Sequence, residues 1–315
     1  MPVSAAHTEP PRQPSSGEVT DRVGDLLRVA TFPGLLGGGL MLAWVVQRLG
    51  VLPELIVAGS TLLGLIVLLP IQRRIPWRAV WQHNEEAEVG TDLLHLLLSN
   101  GVTGALASAL TFGALTAGAI HLAALFPAGL WPSWLPLAFQ VLLAMVAGEF
   151  AFYWLHRLAH TFDGVWRWHA VHHCSERLNV WSAARNHPVN AAASYLSQVA
   201  PAVLLGATPD VLLYLSVWTT LHGMLQHANI DLRLGSLDRV FSTANLHRWH
   251  HSTLPAEGHT NYGSNLMLWD HVFGTFEAPP PEGPAEVGVV DTEIPDGYLG
   301  HLRTPFAWKR LPRPS

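Results

Sequence analysis

The sequence predicts an all-helical integral membrane protein with a histidine-rich helical cap, and three observations carry that expectation. Hydrophobic residues make up 49% of the 315 residues and Asp, Glu, Lys and Arg only 13%, an apolar balance unusual for a soluble domain. Apolar runs of about 20 residues recur, each long enough as a helix to cross about 30 Å of hydrocarbon. Histidines then crowd the region just after the last of these runs.

Residues 1–24 are polar, rich in Pro, Ser and Glu, and lack the apolar centre of a cleavable signal, so they predict a disordered tail. Residues 25–130 are expected to form the N-terminal transmembrane helices. Segment 32–49 is short and Gly-rich and predicts a tight hairpin with 51–71, which is interrupted only by Pro53, Glu54 and Pro70. Segment 102–126 has no acid or base except His121, and 133–155 is charged only at Glu149. Together these give about four spanning helices. Residues 131–278 are expected to form a catalytic domain and 279–315 a Pro-rich C-terminal segment.

The stretch 191–221 is apolar but broken by Pro201 and by Gly206-Ala207-Thr208-Pro209-Asp210, where Thr208 can cap a new helix that Pro209 begins. Each half would be about 22 to 27 Å long, short of a full span. It predicts a half-membrane hairpin whose return arm ends in His222 and His227. Arg73, Arg74 and Arg78 follow the second span, whereas the loop 127–132 carries no charge and has Trp131 and Trp134 beside it. The positive-inside rule therefore puts the N-terminus, 72–92 and the chain after 155 in the cytoplasm, as in a bacterial inner-membrane protein.

Several classes drop out. The single Cys174 excludes a disulfide framework and a Cys-ligated iron–sulfur cluster. A net charge of -5 with scattered basic residues leaves no nucleic-acid footprint. No GxGxxG fingerprint marks a dinucleotide site.

Eight histidines form three spaced groups: His156 and His160 in HRLAH, His169, His172 and His173 in HAVHH, and His247, His250 and His251 in HRWHH. Residues three and four apart share one face of a helix, so each group is a prong of stacked imidazoles. One tetrahedral ion takes four ligands, so eight to ten converging histidines, with His222 and His227 added, imply two metals. Imidazole suits Zn, Cu, Fe and Ni alike. The HExxH helix of zinc proteases is absent, because Arg157, Leu158 and Ala159 between His156 and His160 supply no carboxylate. Redox chemistry on dioxygen is the better reading. A haem-binding membrane cytochrome is the alternative, although two HxxHH prongs exceed what axial ligation needs.

The three prongs resemble the HxxxH, HxxHH and late HxxHH pattern of the membrane-bound fatty acid hydroxylase and sterol desaturase superfamily. Asn261-Tyr262-Gly263 and Trp269-Asp270-His271-Val272-Phe273-Gly274-Thr275 are similar to its NxG and WDxxFGT signatures. The resemblance covers about 145–310 and looks bacterial in type. It implies a histidine-ligated pair of iron ions, which zinc can replace during overexpression, and hydroxylation or desaturation of a lipid with dioxygen. The substrate, an acyl chain or flat terpenoid, would enter from the bilayer; sterol, hopanoid, aminolipid and carotenoid stay open. No HPGG segment supplies a fused cytochrome b5, so electrons are expected from a ferredoxin or cytochrome b5-type donor with its reductase. Arg157, Arg167, Arg177 and Arg248 are its expected docking residues.

Other residues are candidates for lining or supporting the site. Arg185-Asn186-His187-Pro188 resembles a family RxHP segment, and reads otherwise as a helix stop with Asn186 capping. Asp270 is expected to accept a hydrogen bond from a ligating imidazole, and Asn261 lies in the NxG signature. Glu149 in an apolar span needs a partner, either Arg157 or the site itself. His83, His95, His121, His259, His271 and His301 lack companions at ligand spacing and are left out of the ligand set.

Overall fold

The computed structural model describes residues 21–82, 85–102, 104–106, 109, 117–118, 120–121 and 130–312. Among these the protein is helical, and the only strand-like contacts are isolated antiparallel bridges joining Phe241 to Leu266 and Ser252 to Val287. Three helices are long and apolar enough to cross a membrane: α1 (Arg22–Arg48), α2 (Pro53–Arg74) and α4 (Leu137–Thr161). The expected span at 102–126 lies largely outside the described residues. Helix α1 begins inside the segment read as tail, because the Asp21 carboxylate accepts from the Gly24 N–H at 3.1 Å and caps its first turn.

Pro53 starts α2 at its first position, where the missing N–H breaks no helical bond. The outward faces of these helices carry exposed apolar side chains, Leu42, Leu62, Ile66, Phe139 and Phe150 among them, as lipid contact requires. The buried core lies on the inward side, where Leu36 of α1 and Leu68 of α2 meet Val217, Leu221 and Leu225 of α7 (Pro209–His227).

Helix α6 (Pro188–Leu205) and α7 break where the sequence predicts, but they do not pair as a hairpin: α6 packs on α4, and α7 on α1, α2 and α4. Gly206 closes α6 in a left-handed conformation, φ 92°, and Pro209 opens α7; Thr208 sits at the cap position but its side chain makes no capping bond. Neither arm is among the helices apolar enough to span. Helix α4 crosses α6 so closely that a Cβ added at Gly148 would lie 2.1 Å from the Gln198 carbonyl oxygen. Only glycine allows that approach.

The cap is made of α3 (Glu85–Leu94) with a π-helical continuation over His95–Val102, α5 (Asp163–His173), α8 (Ala244–His250), α9 (Leu268–Phe273) and α10 (Gly297–Ala307). The segment Arg185-Asn186-His187-Pro188 follows a single 3-10 turn, Ser182–Ala184, and opens an α-helix where the sequence suggested a stop. Pro188 is the first residue of α6, and His187, rather than Asn186, is its cap, accepting from the Val189 N–H at 3.1 Å.

Candidate metal centre

Four short stretches of chain bring nine buried histidines together. His156 and His160 sit on the last two turns of α4, His169, His172 and His173 on the last two turns of α5, His227 at the end of α7, and His247, His250 and His251 on α8 and its cap. They divide into two groups that could each hold a metal ion: His156, His160, His169, His173 and His250, and His172, His227, His247 and His251. Within each group the ligand atoms lie within 4.8 Å of one another.

The HxxHH spacing explains the division. On a helix, position i+4 lies 40° to one side of i and i+3 lies 60° to the other. His169 and His173 therefore serve one group while His172 turns to its neighbour. In the second motif His247 and His251 stay together and His250 crosses over. The two groups share a seam, where the rings of His173 and His251 stack with centroids 4.1 Å apart.

Hydrogen bonding fixes which nitrogen faces inward. The Nδ1–H of His156 donates to the Tyr262 carbonyl at 2.7 Å, that of His250 to Thr260 at 2.8 Å, and that of His172 to Arg185 at 3.1 Å. His169 Nδ1 meets the Asn190 side-chain oxygen at 3.3 Å. A carbonyl only accepts, so each Nδ1 carries the proton and each Nε2 presents a lone pair. Those lone pairs converge: His156 Nε2 lies 2.9 Å from His169 Nε2 and 3.0 Å from His250 Nε2. His247 Nε2 lies 2.9 Å from His227 Nε2 and 3.1 Å from His251 Nε2 in the other group. In the first group, where acceptors fix the tautomers of His156, His169 and His250, two lone pairs cannot hydrogen-bond to each other. Two imidazole nitrogens at right angles about 2.1 Å from one ion would be about 3.0 Å apart, so the donor set fits a metal cation.

Burial keeps the cap imidazoles neutral, as ligation requires. It pushes His172 down to about 4, and with neighbouring imidazoles it holds His169, His173, His247, His250 and His251 well below the ordinary histidine value.

His222 is not brought to either group, which corrects its expected role as a ligand. It lies five positions before His227, and 500° of rotation turns it about 140° away. Its ring packs instead against Phe32 at 5.7 Å and Trp218 at 5.9 Å. His187 caps α6 and rests edge-on against Trp168. His259 is exposed, with its ring 5.6 Å from His160.

Asp270 accepts from no imidazole. It holds the Tyr262 and Gly263 N–H groups at 2.8 Å each and the Thr275 hydroxyl at 2.7 Å. The two C-terminal signatures thus lock each other, and Asp270 acts on His156 through the Tyr262 carbonyl. Asn261 adopts φ 55° and exchanges side-chain hydrogen bonds with the Glu277 backbone. Gly263 has no room for a side chain, since a Cβ would sit 2.3 Å from the Leu266 oxygen. Glu149 pairs with backbone rather than with Arg157, accepting from Ser264 N–H at 2.9 Å and Asn265 N–H at 2.8 Å.

Arg185 forms a buried ion pair with Asp92 at 2.7 Å and a second with Glu88 at 2.8 Å. Two of the four expected docking residues are engaged within the fold. Arg248 is buried with its guanidinium 4.5 Å over the Trp77 ring and donates to the Ala228 and Ile230 carbonyls, drawing α8 onto the chain just after His227. Arg177 is paired with Glu88. Sequence reasoning also missed Asn190, Thr260, Tyr262 and Trp166, whose ring packs against His160 and His173. Only Tyr262 carried a signal, its place inside the NxG signature.

A family profile for fatty acid hydroxylase matches residues 141–275, which contain all nine histidines. The ornithine lipid hydroxylase OlsE of Rhizobium tropici is 38% identical over 239 residues, 76% of this chain and 72% of that protein. The human alkylglycerol monooxygenase is 31% identical over 43% of this chain and 30% of its own length. The Delta(7)-sterol 5(6)-desaturase ERG3B of Gibberella zeae is 28% identical over 48% of this chain and 45% of its own. No solved structure matches the chain.

Proposed function

The chain belongs to the fatty acid hydroxylase family, and on that premise we propose that it hydroxylates an ornithine-type aminolipid of the bacterial inner membrane. The observation that carries the reading is the convergence of buried histidine nitrogens into two adjoining groups, placed at the ends of apolar helices. His156, His160, His169, His173 and His250 would hold one iron ion and His172, His227, His247 and His251 the other. The aminolipid is favoured by the extent of the OlsE match.

When bound, the pair of ions would supply dioxygen activation and oxidation of an unactivated C–H bond. In the balanced reaction R–H, dioxygen, two electrons and two protons give R–OH and water. The chain's residues fix the ligand nitrogens through Tyr262, Thr260, Asn190 and Arg185. Trp166 and Tyr262, packed on the imidazoles, exclude water. The electrons come from an external ferredoxin or cytochrome b5-type carrier on the cytoplasmic side.

Expression in a host that makes the aminolipid, under oxygen-18 gas, tests this. Mass spectrometry should find one labelled oxygen added to the lipid, and His250→Ala should abolish it. Loss of two hydrogens without oxygen would mean desaturation, the activity named for ERG3B. An unchanged lipid profile with intact protein in the membrane would reject the substrate.

A further inference from the structure

His95 and His301, left out of the ligand set on spacing, meet in the fold. They come from residues more than 200 apart and lie outside the segment matched by the family profile. His95 Nε2 and His301 Nδ1 are 2.9 Å apart, and the rings stack with centroids at 5.1 Å. Both are buried.

The pair has a direction. His95 Nδ1 lies 2.9 Å from the Asn186 carbonyl, which only accepts, so that nitrogen carries the proton. His95 Nε2 must then accept from His301 Nδ1–H, while His301 Nε2 faces the Cys174 sulfur at 3.7 Å, whose thiol donates to the Val171 carbonyl at 3.1 Å. Cys174 directly follows His173. The chain of bonds thus runs from His301 of α10 through His95 of the π-helical segment to Asn186, with Cys174 in contact at its far end.

Asn186 adjoins the two groups that orient one histidine of each set. Its side-chain oxygen accepts from Asn190 Nδ2 at 2.7 Å, which turns the Asn190 oxygen toward His169 Nδ1. The preceding carbonyl, that of Arg185, accepts from His172 Nδ1. His169 belongs to the five-histidine group and His172 to the four-histidine group.

We propose that the His95–His301 pair is a positioning device for both metal groups, holding the 185–190 segment so that Asn190 and the Arg185 carbonyl orient His169 and His172. Neither residue touches a metal ligand, and the effect passes through Asn186. Two further tethers from the same flank act beside it, the Arg185–Asp92 ion pair and the Asn100 amide donating to the Ala184 carbonyl at 2.7 Å. The proposal rests on the metal reading of the two groups, but not on any substrate.

The test uses the full chain in detergent, loaded with Co(II), whose visible spectrum reports ligand arrangement. His301→Phe keeps a ring on His95 and removes both nitrogens. It should lose cobalt to EDTA about tenfold faster than the wild type and show a shifted Co(II) spectrum, in line with the effect of outer partners on metal affinity. His301→Gln, which keeps a donor and an acceptor, should fall between the two. Leu299→Ala, on the exposed face of α10, should match the wild type. If His301→Phe does not fold, the comparison of His301→Gln with the wild type decides. Wild-type cobalt retention and spectrum in the folded His301 variants would overturn the proposal, even with turnover impaired. A wild-type protein that binds no cobalt would instead overturn the metal reading itself.

Discussion

Glu149, in the middle of a membrane-spanning helix, holds Asn265 by two bonds, accepting from its backbone N–H at 2.8 Å and from its side-chain amide at 2.6 Å. A third donor, the Ser264 N–H, meets the other carboxylate oxygen at 2.9 Å. The carboxylate is therefore satisfied without a cation, and it fastens helix α4 to the loop whose Tyr262 carbonyl orients His156 on that same helix. Glu149→Ala leaves three buried donors without partners, at about 1–3 kcal/mol each. We expect a loss of at least about 3 kcal/mol in stability, read as a lower unfolding midpoint in detergent, together with loss of hydroxylation.

His227 and His222 lie on one helix but should behave oppositely. His227→Ala removes a member of the four-histidine group and should lower bound metal from two ions to one, read by elemental analysis. His222→Phe places an aromatic ring among Phe32, Trp218 and Phe241 and should leave the metal content unchanged. Metal loss in His222→Phe would restore it as a ligand.

The NxG signature should tolerate little. Gly263→Ala forces a Cβ against the Leu266 oxygen and within 3.0 Å of the Asp270 carboxylate. The Tyr262 carbonyl should shift away from His156, so activity should fall by at least tenfold, as for loss of an outer metal partner. Ser264→Ala, one residue on, keeps the backbone N–H that Glu149 needs and should retain most activity.

Stability of the metal-free protein should fall on acidification. Burial holds His172 at about 4 and His301 at about 3, against an ordinary value of 6.5. Below pH 6.5 the unfolded chain takes up protons that the folded chain refuses. The stability present above 6.5 is therefore lost as pH drops, down to about 4 for His172 and about 3 for His301. Each such histidine contributes a slope of about 1.4 kcal/mol per pH unit. Urea midpoints from pH 7 to 4 would measure it, and His301→Phe should flatten the curve.

Much of this was legible in the chain. The long apolar runs announce α1, α2 and α4 because spanning helices need continuous apolar length. The HxxHH spacing announces the metal groups because helical periodicity stacks those residues. What stayed hidden depends on backbone groups and long-range partners. Nothing in sequence distinguishes the Arg185 carbonyl from any other carbonyl, yet it orients His172. Asp270 looked like a partner for an imidazole because carboxylates commonly are; the sharp turn at Asn261–Gly263 claims it first. His95 and His301 were set aside because spacing finds neighbours on one helix, not partners folded together from opposite ends of the chain.

The division of each HxxHH motif between two groups has a consequence for synthesis. His156, His160, His169 and His173 leave the ribosome well before His247, His250 and His251, and neither group can close until that last prong emerges. In the interval α4 and α5 already present four imidazoles, a set that copper or zinc binds more firmly than ferrous iron. The metal found in the purified protein should therefore change with the metal supply during expression, and not follow the preference of the finished site alone.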